Sequence, residues 1–279
     1  MIFDRIKSSA ENLTPAEQKL VRELLARPRD AALGTAGDLA RRIGVHEATA
    51  SRLAKKLGFD SYSGFRDALR QEFIVKTDPA LRVKNTLESS RGPSILSDLV
   101  EAEAASLAAL SSYVPAEALR AASSALSAAR KVFVFARGNA EALSVLADRR
   151  LRRMGVDTVL LAGDARDLAE RLAAMEKGDA LLAFAFRRPP RHYAALLDQA
   201  RSLNVASVVV ADTLGPSLVP APDHLLFAPR SGSSDAFQTL TVPMTIANAL
   251  VLEMAREAEE RSLRRLERVG DLLAVFDSR

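Results

Sequence analysis

Cysteine and tryptophan are absent from this chain of 279 residues, and histidine occurs only three times. Without cysteine the protein can form neither disulfide bonds nor thiolate metal sites, which suits a reducing compartment. The three histidines, His46, His192 and His224, lack the spacing of metal ligands, and no dinucleotide-binding fingerprint surrounds Gly138. The sequence therefore predicts that the protein uses no metal and no cofactor.

Long apolar runs are absent as well. No uncharged apolar stretch reaches the length of about eighteen residues that would suggest a membrane span, and residues 1–5 lack the apolar run of a signal peptide. Hydrophobic residues make up 48% of the chain and charged residues 27%, which is typical of a globular protein with a packed core. We therefore expect a cytoplasmic protein with no membrane partner, and its length favours two domains.

Basic residues are concentrated near the N-terminus. Residues 1–75 contain 13 lysines and arginines against 10 acidic residues, so they hold +3 of the net charge of +4. A basic segment attached to a nearly neutral remainder is typical of a nucleic-acid-binding module joined to a second domain.

Residues 35–65 have the pattern of a helix-turn-helix. Ala40 is small enough for a second helix to approach closely, and Gly44 can adopt the left-handed conformation that the turn requires. Ala50 and Leu53 fall on the inner side of the second helix, at helical spacing. This combination predicts a protein that binds double-stranded DNA.

The second helix of the motif is predicted to run from about His46 to Leu57 and to enter the major groove. Arg52 can donate two hydrogen bonds to guanine, Glu47 can accept one from cytosine, and the Ala48 methyl group can contact a thymine methyl. The predicted phosphate contacts are His46, Thr49 and Ser51. The full set of predicted DNA contacts is His46, Glu47, Ala48, Thr49, Ser51, Arg52, Lys55 and Lys56.

The first domain, residues 1–75, is predicted to be entirely helical, with Pro28 ending its second helix. Its five expected helices are Ile2 to Glu11, Pro15 to Ala26 capped by Thr14, one capped by Thr35, His46 to Leu57, and Ser63 to Phe73. Periodicity is lost from Val75 to Pro93, so residues 76–114 are expected to be a linker followed by a connecting helix.

The second domain, residues 115–279, alternates short apolar runs with helical stretches, which predicts a doubly wound parallel five-stranded α/β sandwich. The predicted strands are Val132–Ala136, Val156–Ala162, Ala180–Phe186, Val205–Val210 and His224–Phe227. The predicted helices are Ile95–Tyr113, Pro115–Ala129, Ala140–Met154, Leu168–Met175, His192–Leu203 and Ala236–Glu260.

The segment from Gly44 to Phe65 resembles the RpiR family of bacterial transcription regulators, and the domain order is similar too. The resemblance implies an N-terminal helix-turn-helix, a C-terminal SIS (sugar isomerase) domain that senses a phosphorylated sugar, and assembly into dimers or tetramers. Two residues depart from the family pattern, because His46 stands where serine is frequent and Ala50 where valine is usual.

A ligand of an open α/β sheet binds beyond the carboxyl ends of the strands, where helix N-termini point toward it. Similar SIS domains hold phosphate with serine and threonine turns after the first and third strands, and this chain has neither turn. Arginines in these loops can bind a small anion instead, because a guanidinium group matches phosphate or carboxylate. The predicted effector-binding residues are Arg137, Gly138, Asn139, Arg187, Arg188, Ser231, Ser233 and Ser234.

Three functions remain open at this stage. The favoured one is a DNA-binding regulator that responds to a small anionic metabolite, with a phosphorylated sugar as one candidate. In the second, the SIS-like domain is only a dimerisation scaffold. The third is a sugar-phosphate isomerase, whose general base would be one of His192, His224, Glu141 and Asp235. It is the weakest, because the serine and threonine turns that hold phosphate are absent, and we therefore expect no enzyme. Apolar residues in the helices Ile95–Tyr113 and Ala236–Asp271 predict a homodimer or homotetramer.

Overall fold

A computed structural model describes residues 2–9, 13–26, 28–73, 79–212, 215–229 and 236–278 of the chain. Contacts within it divide the chain into two compact units, one built mainly from residues up to Ile95 and one that begins at Leu96. No helix in the described part of the chain is both long and apolar enough to cross a membrane.

Helices are the regular secondary structure of the first unit in its described residues. Its helices are α1 (Ile2–Ser9), α2 (Pro15–Ala26), α3 (Pro28–Leu33), α4 (Ala36–Ile43), α5 (Glu47–Lys56), α6 (Tyr62–Phe73) and α7 (Pro79–Ser89). The core of this unit is formed by side chains from each of the helices α1 to α6. Its almost completely buried residues include Leu20, Leu24, Leu53, Phe65 and Leu69.

Two helices of this unit were not predicted, and both begin at prolines. The second helix ends at Ala26, before Pro28, as predicted, but Pro28 also begins α3, and the stretch expected to be irregular from Val75 to Pro93 contains α7, which begins at Pro79. Proline lacks a backbone N–H, and the first turn of a helix leaves that group unpaired in any case. A proline that ends one periodic segment can therefore begin the next helix.

The second unit contains a five-stranded sheet in which every paired strand is parallel, with the order β2-β1-β3-β4-β5. Its strands are β1 (Val132–Phe135), β2 (Thr158–Leu161), β3 (Ala180–Ala185), β4 (Ala206–Ala211) and β5 (His224–Phe227). Its helices are α8 (Ile95–Ala108), α9 (Leu110–Tyr113), α10 (Ala116–Ser127), α11 (Glu141–Arg153), α12 (Ala165–Leu172), α13 (Tyr193–Ser202), α14 (Thr241–Glu257) and α15 (Glu259–Asp277).

Both faces of this sheet are covered, which confirms the predicted doubly wound α/β sandwich. One hydrophobic cluster joins the sheet to α10, α11 and α14, and a second cluster joins its other face to α12 and α13. The central strands β1 and β3 are buried at every residue, because a strand covered on both faces has no solvent-facing side. Each predicted strand is present, with ends that differ by at most two residues.

Candidate DNA-binding helix and ligand crevice

A capping box fixes the start of α4. The Thr35 N–H donates to Asp38 Oδ2 at 2.9 Å, and the Asp38 N–H donates to Thr35 Oγ1 at 3.1 Å. Hydrogen bonds from the Thr35 side chain and backbone, with a further bond from Arg41, lower the pKa of Asp38 to about 2. Asp38 therefore stays ionised and satisfies N–H groups that the first helical turn leaves unpaired.

Gly44 makes the turn between α4 and α5 as predicted, with φ 70° and ψ 38°. The left-handed conformation lets the Val45 N–H reach the Ala40 carbonyl oxygen at 3.0 Å. Ala40 itself is buried at the contact between the two helices, so its small side chain permits their close approach.

Both ends of α5 are tied to side chains. The His46 ring Nδ1 accepts a hydrogen bond from the Ala48 N–H at 3.2 Å, so His46 caps the helix and Nε2 is left as the donor of the neutral ring. At the other end, Arg5 Nη1 donates to the carbonyl oxygens of Leu57 and Gly58, at 3.1 and 2.9 Å. A cation at the carboxyl end of a helix also complements the helix dipole.

One face of α5 is exposed and polar, as expected for a helix that enters a groove. Ala48, Arg52 and Lys55 follow one another at helical spacing and are exposed, with Ser51 half-buried beside them. Glu47 is exposed at the first turn. The opposite face of the helix packs into the core through Ala50, Leu53 and Ala54.

Two predicted DNA contacts have partners within the first unit. Thr49 is only 6% exposed and its hydroxyl lies 3.4 Å from Arg52 Nη2, because the helical period turns it toward the core. The Lys56 ammonium group is 2.8 Å from Glu17 Oε2, so it is held against α2. DNA contact by these two residues stays a prediction, but in the structure Thr49 is buried and Lys56 has an internal partner.

Glu17 is a buried carboxylate that sequence reasoning did not connect to the motif. Burial raises its pKa, but hydrogen bonds from Lys56 and from the backbone and hydroxyl of Thr14 outweigh that effect and lower it overall. The Thr14 N–H donates to the same Oε2 atom at 2.8 Å. The capping-box spacing of Thr14 and Glu17 was visible in the sequence, whereas Lys56 lies too far along the chain to be recognised as a partner.

In the second unit, the strand order reverses between β1 and β3, which is where open α/β sheets bind ligands. Phe135, the last residue of β1, pairs with Ala183 of β3, so the segments that follow these strands leave the same edge of the sheet. We call this place the switch-point crevice and define it by residues 136–140 after β1 and residues 186–192 after β3.

The predicted anion donors after β1 already have acceptors within the protein. The Gly138 N–H donates to Glu141 Oε1 at 3.1 Å, in a turn where Gly138 has φ 63°. Arg137 Nη2 donates to the Gly163 carbonyl oxygen at 2.8 Å, and its guanidinium carbon lies 5.0 Å from the centre of the Phe135 ring. Arg137 thus connects the segments after β1 and β2, in contrast to the expected role of a free anion ligand.

After β3, the backbone of Arg187 is held by a buried carboxylate that sequence reasoning missed. The Arg187 N–H lies 2.9 and 3.1 Å from the two oxygens of Asp212, which is 2% exposed just after β4. Arg187 has a positive φ of 68°, so this bond accompanies an unusual conformation of the loop. The side chains of Arg187, Arg188 and Asn139 are exposed at this edge of the sheet.

The sequence also proposed two histidines and Asp235 as catalytic bases and three serines as effector ligands. His224 is the first residue of β5, so it lies at the amino edge, away from the crevice. His192 directly precedes α13 at the carboxyl edge. Ser231, Ser233, Ser234 and Asp235 lie outside the described residues. Within the described ranges, no group of three His, Asp or Glu side chains is arranged to hold a metal ion.

A helix-turn-helix unit followed by a parallel α/β unit defines the chain as a two-domain DNA-binding regulator. Residues 1–76 match the helix-turn-helix domain of the rpiR family, and residues 125–253 match the SIS domain. Residues 1–76 therefore carry the helix-turn-helix domain of the rpiR family, and an SIS domain follows it in the chain, as the resemblance in the sequence implied.

Solved structures share this fold. The sugar isomerase domain of an RpiR transcription factor from Sphaerobacter thermophilus is 24% identical, with a TM-score of 0.55, over 62% of this chain and 97% of that one. The Vibrio vulnificus NanR protein, solved in complex with ManNAc-6P, is 16% identical with a TM-score of 0.56, over 99% of both chains.

Curated relatives match more narrowly. Proteins named bifunctional protein glk from Paraburkholderia xenovorans and Burkholderia orbicola are each 26% identical over 185 residues, which is 65% of this chain. The matched region spans only 28% of the length of these relatives.

Proposed function

We propose that this chain binds an operator through the exposed face of α5 and that a small anionic metabolite in the switch-point crevice modulates this binding, without catalysis. The observation that carries the proposal is the exposed stripe of Ala48, Arg52 and Lys55 on a helix whose other face is buried and whose two ends are capped. A protein that binds the genome in this way acts in the cytoplasm.

The assignment of Arg52 to a base and of Lys55 to a phosphate can be tested separately. An operator is first selected from random duplex DNA, and binding of the full chain is then measured by fluorescence anisotropy at several salt concentrations. We expect Arg52→Ala to cost about 1–3 kcal/mol and to relax base preference. Lys55→Ala should weaken binding to all sequences alike and reduce the salt dependence by about one counterion.

Arg22→Ala is the matched control, because it removes one exposed positive charge from α2 of the same unit. It should change neither base preference nor the salt slope by as much. If Arg52→Ala kept full operator selectivity, or if the wild-type chain bound no duplex at low salt, the role of α5 would be wrong.

The effector class is supported by the exposed Arg187 and Arg188 at the carboxyl edge of the sheet and by the fold shared with a protein solved with ManNAc-6P. Calorimetry of the full chain with sugar phosphates and acidic metabolites, followed by operator binding with each ligand that binds, tests the class. Loss of binding in Arg187→Ala or Arg188→Ala would support an anion site. If no compound in the panel bound, the dimerisation scaffold would be favoured.

A second copy of this chain is the proposed partner of α15. Only Ser262 of this helix is buried, whereas Leu266, Leu273 and Phe276 form an exposed apolar stripe with the spacing of a helix-pairing seam. The first half of the helix has four arginines against Glu259, Glu260 and Glu267, a net charge of +1, and the second half has Asp271 and Asp277, a net charge of −2. Antiparallel pairing of two copies would therefore place opposite charges together.

Sedimentation equilibrium tests this partner. We expect a dimer or larger assembly at micromolar concentration, which Leu273→Glu combined with Phe276→Glu converts to monomers. Leu252→Glu is the control, because this leucine is also exposed in the second unit but belongs to α14. A wild-type chain that sedimented only as a monomer would contradict the proposal.

A further inference from the structure

Three donors at the switch-point crevice are already bonded to oxygens of the same chain. The Gly138 N–H is taken by Glu141, the Arg187 N–H by Asp212, and Arg137 Nη2 by the Gly163 carbonyl. An anion that used these donors would have to replace an existing acceptor.

Asp212 is a poor candidate for exchange. It is 2% exposed, so moving its carboxylate away from the Arg187 N–H would cost much of the hydrogen bonding of a buried charge. The Gly163 carbonyl is part of the backbone after β2 and cannot rotate away, and a rotation of Arg137 itself would also break its contacts with the Phe135 ring and the Leu161 carbonyl.

Glu141 differs in each respect. It is exposed, it lies in the first turn of α11, and its bond to Gly138 spans only three residues. A rotation about its side-chain bonds is enough to release the N–H, and the lost bond is comparable to one helix cap. The Cα side of Gly138 is open too, because a Cβ built there would meet no atom within 4 Å apart from those of its chain neighbours.

We infer that Glu141 is a specificity-determining residue of the crevice, a built-in carboxylate that competes with incoming anions for the Gly138 N–H. This inference rests on the proposed anion site. Glu141 carries a negative charge at the place where a phosphate or carboxylate group would bind. It therefore lowers the affinity of the crevice for anions in general and favours a ligand whose remaining contacts offset the exchange.

The Gly138 amide can be observed directly in the full chain. Only Gly92 and Gly138 follow an arginine among the 13 glycines of the sequence. Labelling arginine with ¹³C at the carbonyl and glycine with ¹⁵N therefore leaves two amide signals in a carbonyl-filtered spectrum, and Gly92 serves as an internal reference. Inorganic phosphate is the probe, titrated into the wild-type chain, Glu141→Gln and Glu141→Ala.

Asp198→Asn is the matched control. It also removes one negative charge from an exposed position, midway along α13. We expect the phosphate concentration that half-saturates the Gly138 shift to fall about fivefold in Glu141→Gln and further in Glu141→Ala, the size expected for the loss of one cap. It should stay unchanged in Asp198→Asn, and the Gly92 signal should not move.

The outcomes separate the inference from the proposed function. Tighter binding in the Glu141 variants alone, or binding detectable only in them, would support the inference. Equal affinity of all four proteins, with movement of Gly138, would overturn it and leave the anion site intact. If the Gly138 signal moved in none of the proteins, both the inference and the anion site would be overturned.

Discussion

Replacing Lys56 by alanine should destabilise the helix-turn-helix, whereas replacing its neighbour Lys55 should not. The two lysines are adjacent at the end of α5, and sequence reasoning assigned both to DNA. In the structure, Lys55 is exposed, but the Lys56 ammonium group lies 2.8 Å from Glu17 Oε2. The pair is therefore a direct comparison between a DNA-facing charge and a charge that supports the fold.

The magnitude follows from the burial of the two partners. The Glu17 side chain is 7% exposed, and removing one partner of a buried ion pair typically costs about 3–5 kcal/mol. The Lys56 side chain is 33% exposed, so solvent screens part of this interaction, and the Thr14 N–H still bonds Glu17 after the change. We therefore expect Lys56→Ala to cost about 2 kcal/mol, and Lys55→Ala to cost less than about 0.5 kcal/mol.

Hydrogen exchange measured by mass spectrometry suits this two-domain chain, because it reports the opening of each segment without assuming a single unfolding transition. For peptides within Glu47–Lys56, 2 kcal/mol corresponds to about a thirtyfold loss of protection. Lys55→Ala should leave protection unchanged while it weakens DNA binding.

A double variant checks that the pair itself is responsible. Glu17→Gln combined with Lys56→Met removes both charges and leaves an acceptor for Thr14, so it should be more stable than Lys56→Ala alone. Equal protection in Lys55→Ala and Lys56→Ala would refute the reasoning, since both lysines would then be ordinary surface charges.

Three further predictions concern the turn, the acid limit and the crevice. Gly44→Ala should destabilise the first unit by about 1 kcal/mol, because alanine is strained at the positive φ of this residue. Gly270→Ala should stabilise α15, because Gly270 is helical and an added methyl group would meet no atom within 4 Å. Hydrogen exchange of the peptides that contain each residue measures the two effects. Asp38 has a pKa lowered from 3.8 to about 2, so its stabilising contribution is complete above pH 3.8 and is lost as the pH falls toward 2; Asp38→Asn should lack this acid dependence in exchange-detected unfolding. Asp212→Asn should increase exchange in residues 186–192 by weakening the bond to the Arg187 N–H, and unchanged exchange there would contradict the structural role of Asp212.

Periodicity in the sequence was enough to predict most elements and the class of protein. Apolar runs identified all five strands, and the positions of Ala40, Gly44 and Leu53 identified the helix-turn-helix. These features are local, because burial on one face of a helix or on both faces of a strand repeats along the chain at a short, regular spacing.

The partners of individual side chains were decided by the tertiary structure. Lys56 meets Glu17, and Arg5 caps the carboxyl end of α5, across separations of 39 and 52 residues that carry no local signal. The same holds at the crevice, where Asp212 holds the backbone of Arg187 across 25 residues. A charge in a sequence can face solvent, DNA or a buried carboxylate, and only the packing of distant helices and strands determines which of these it meets.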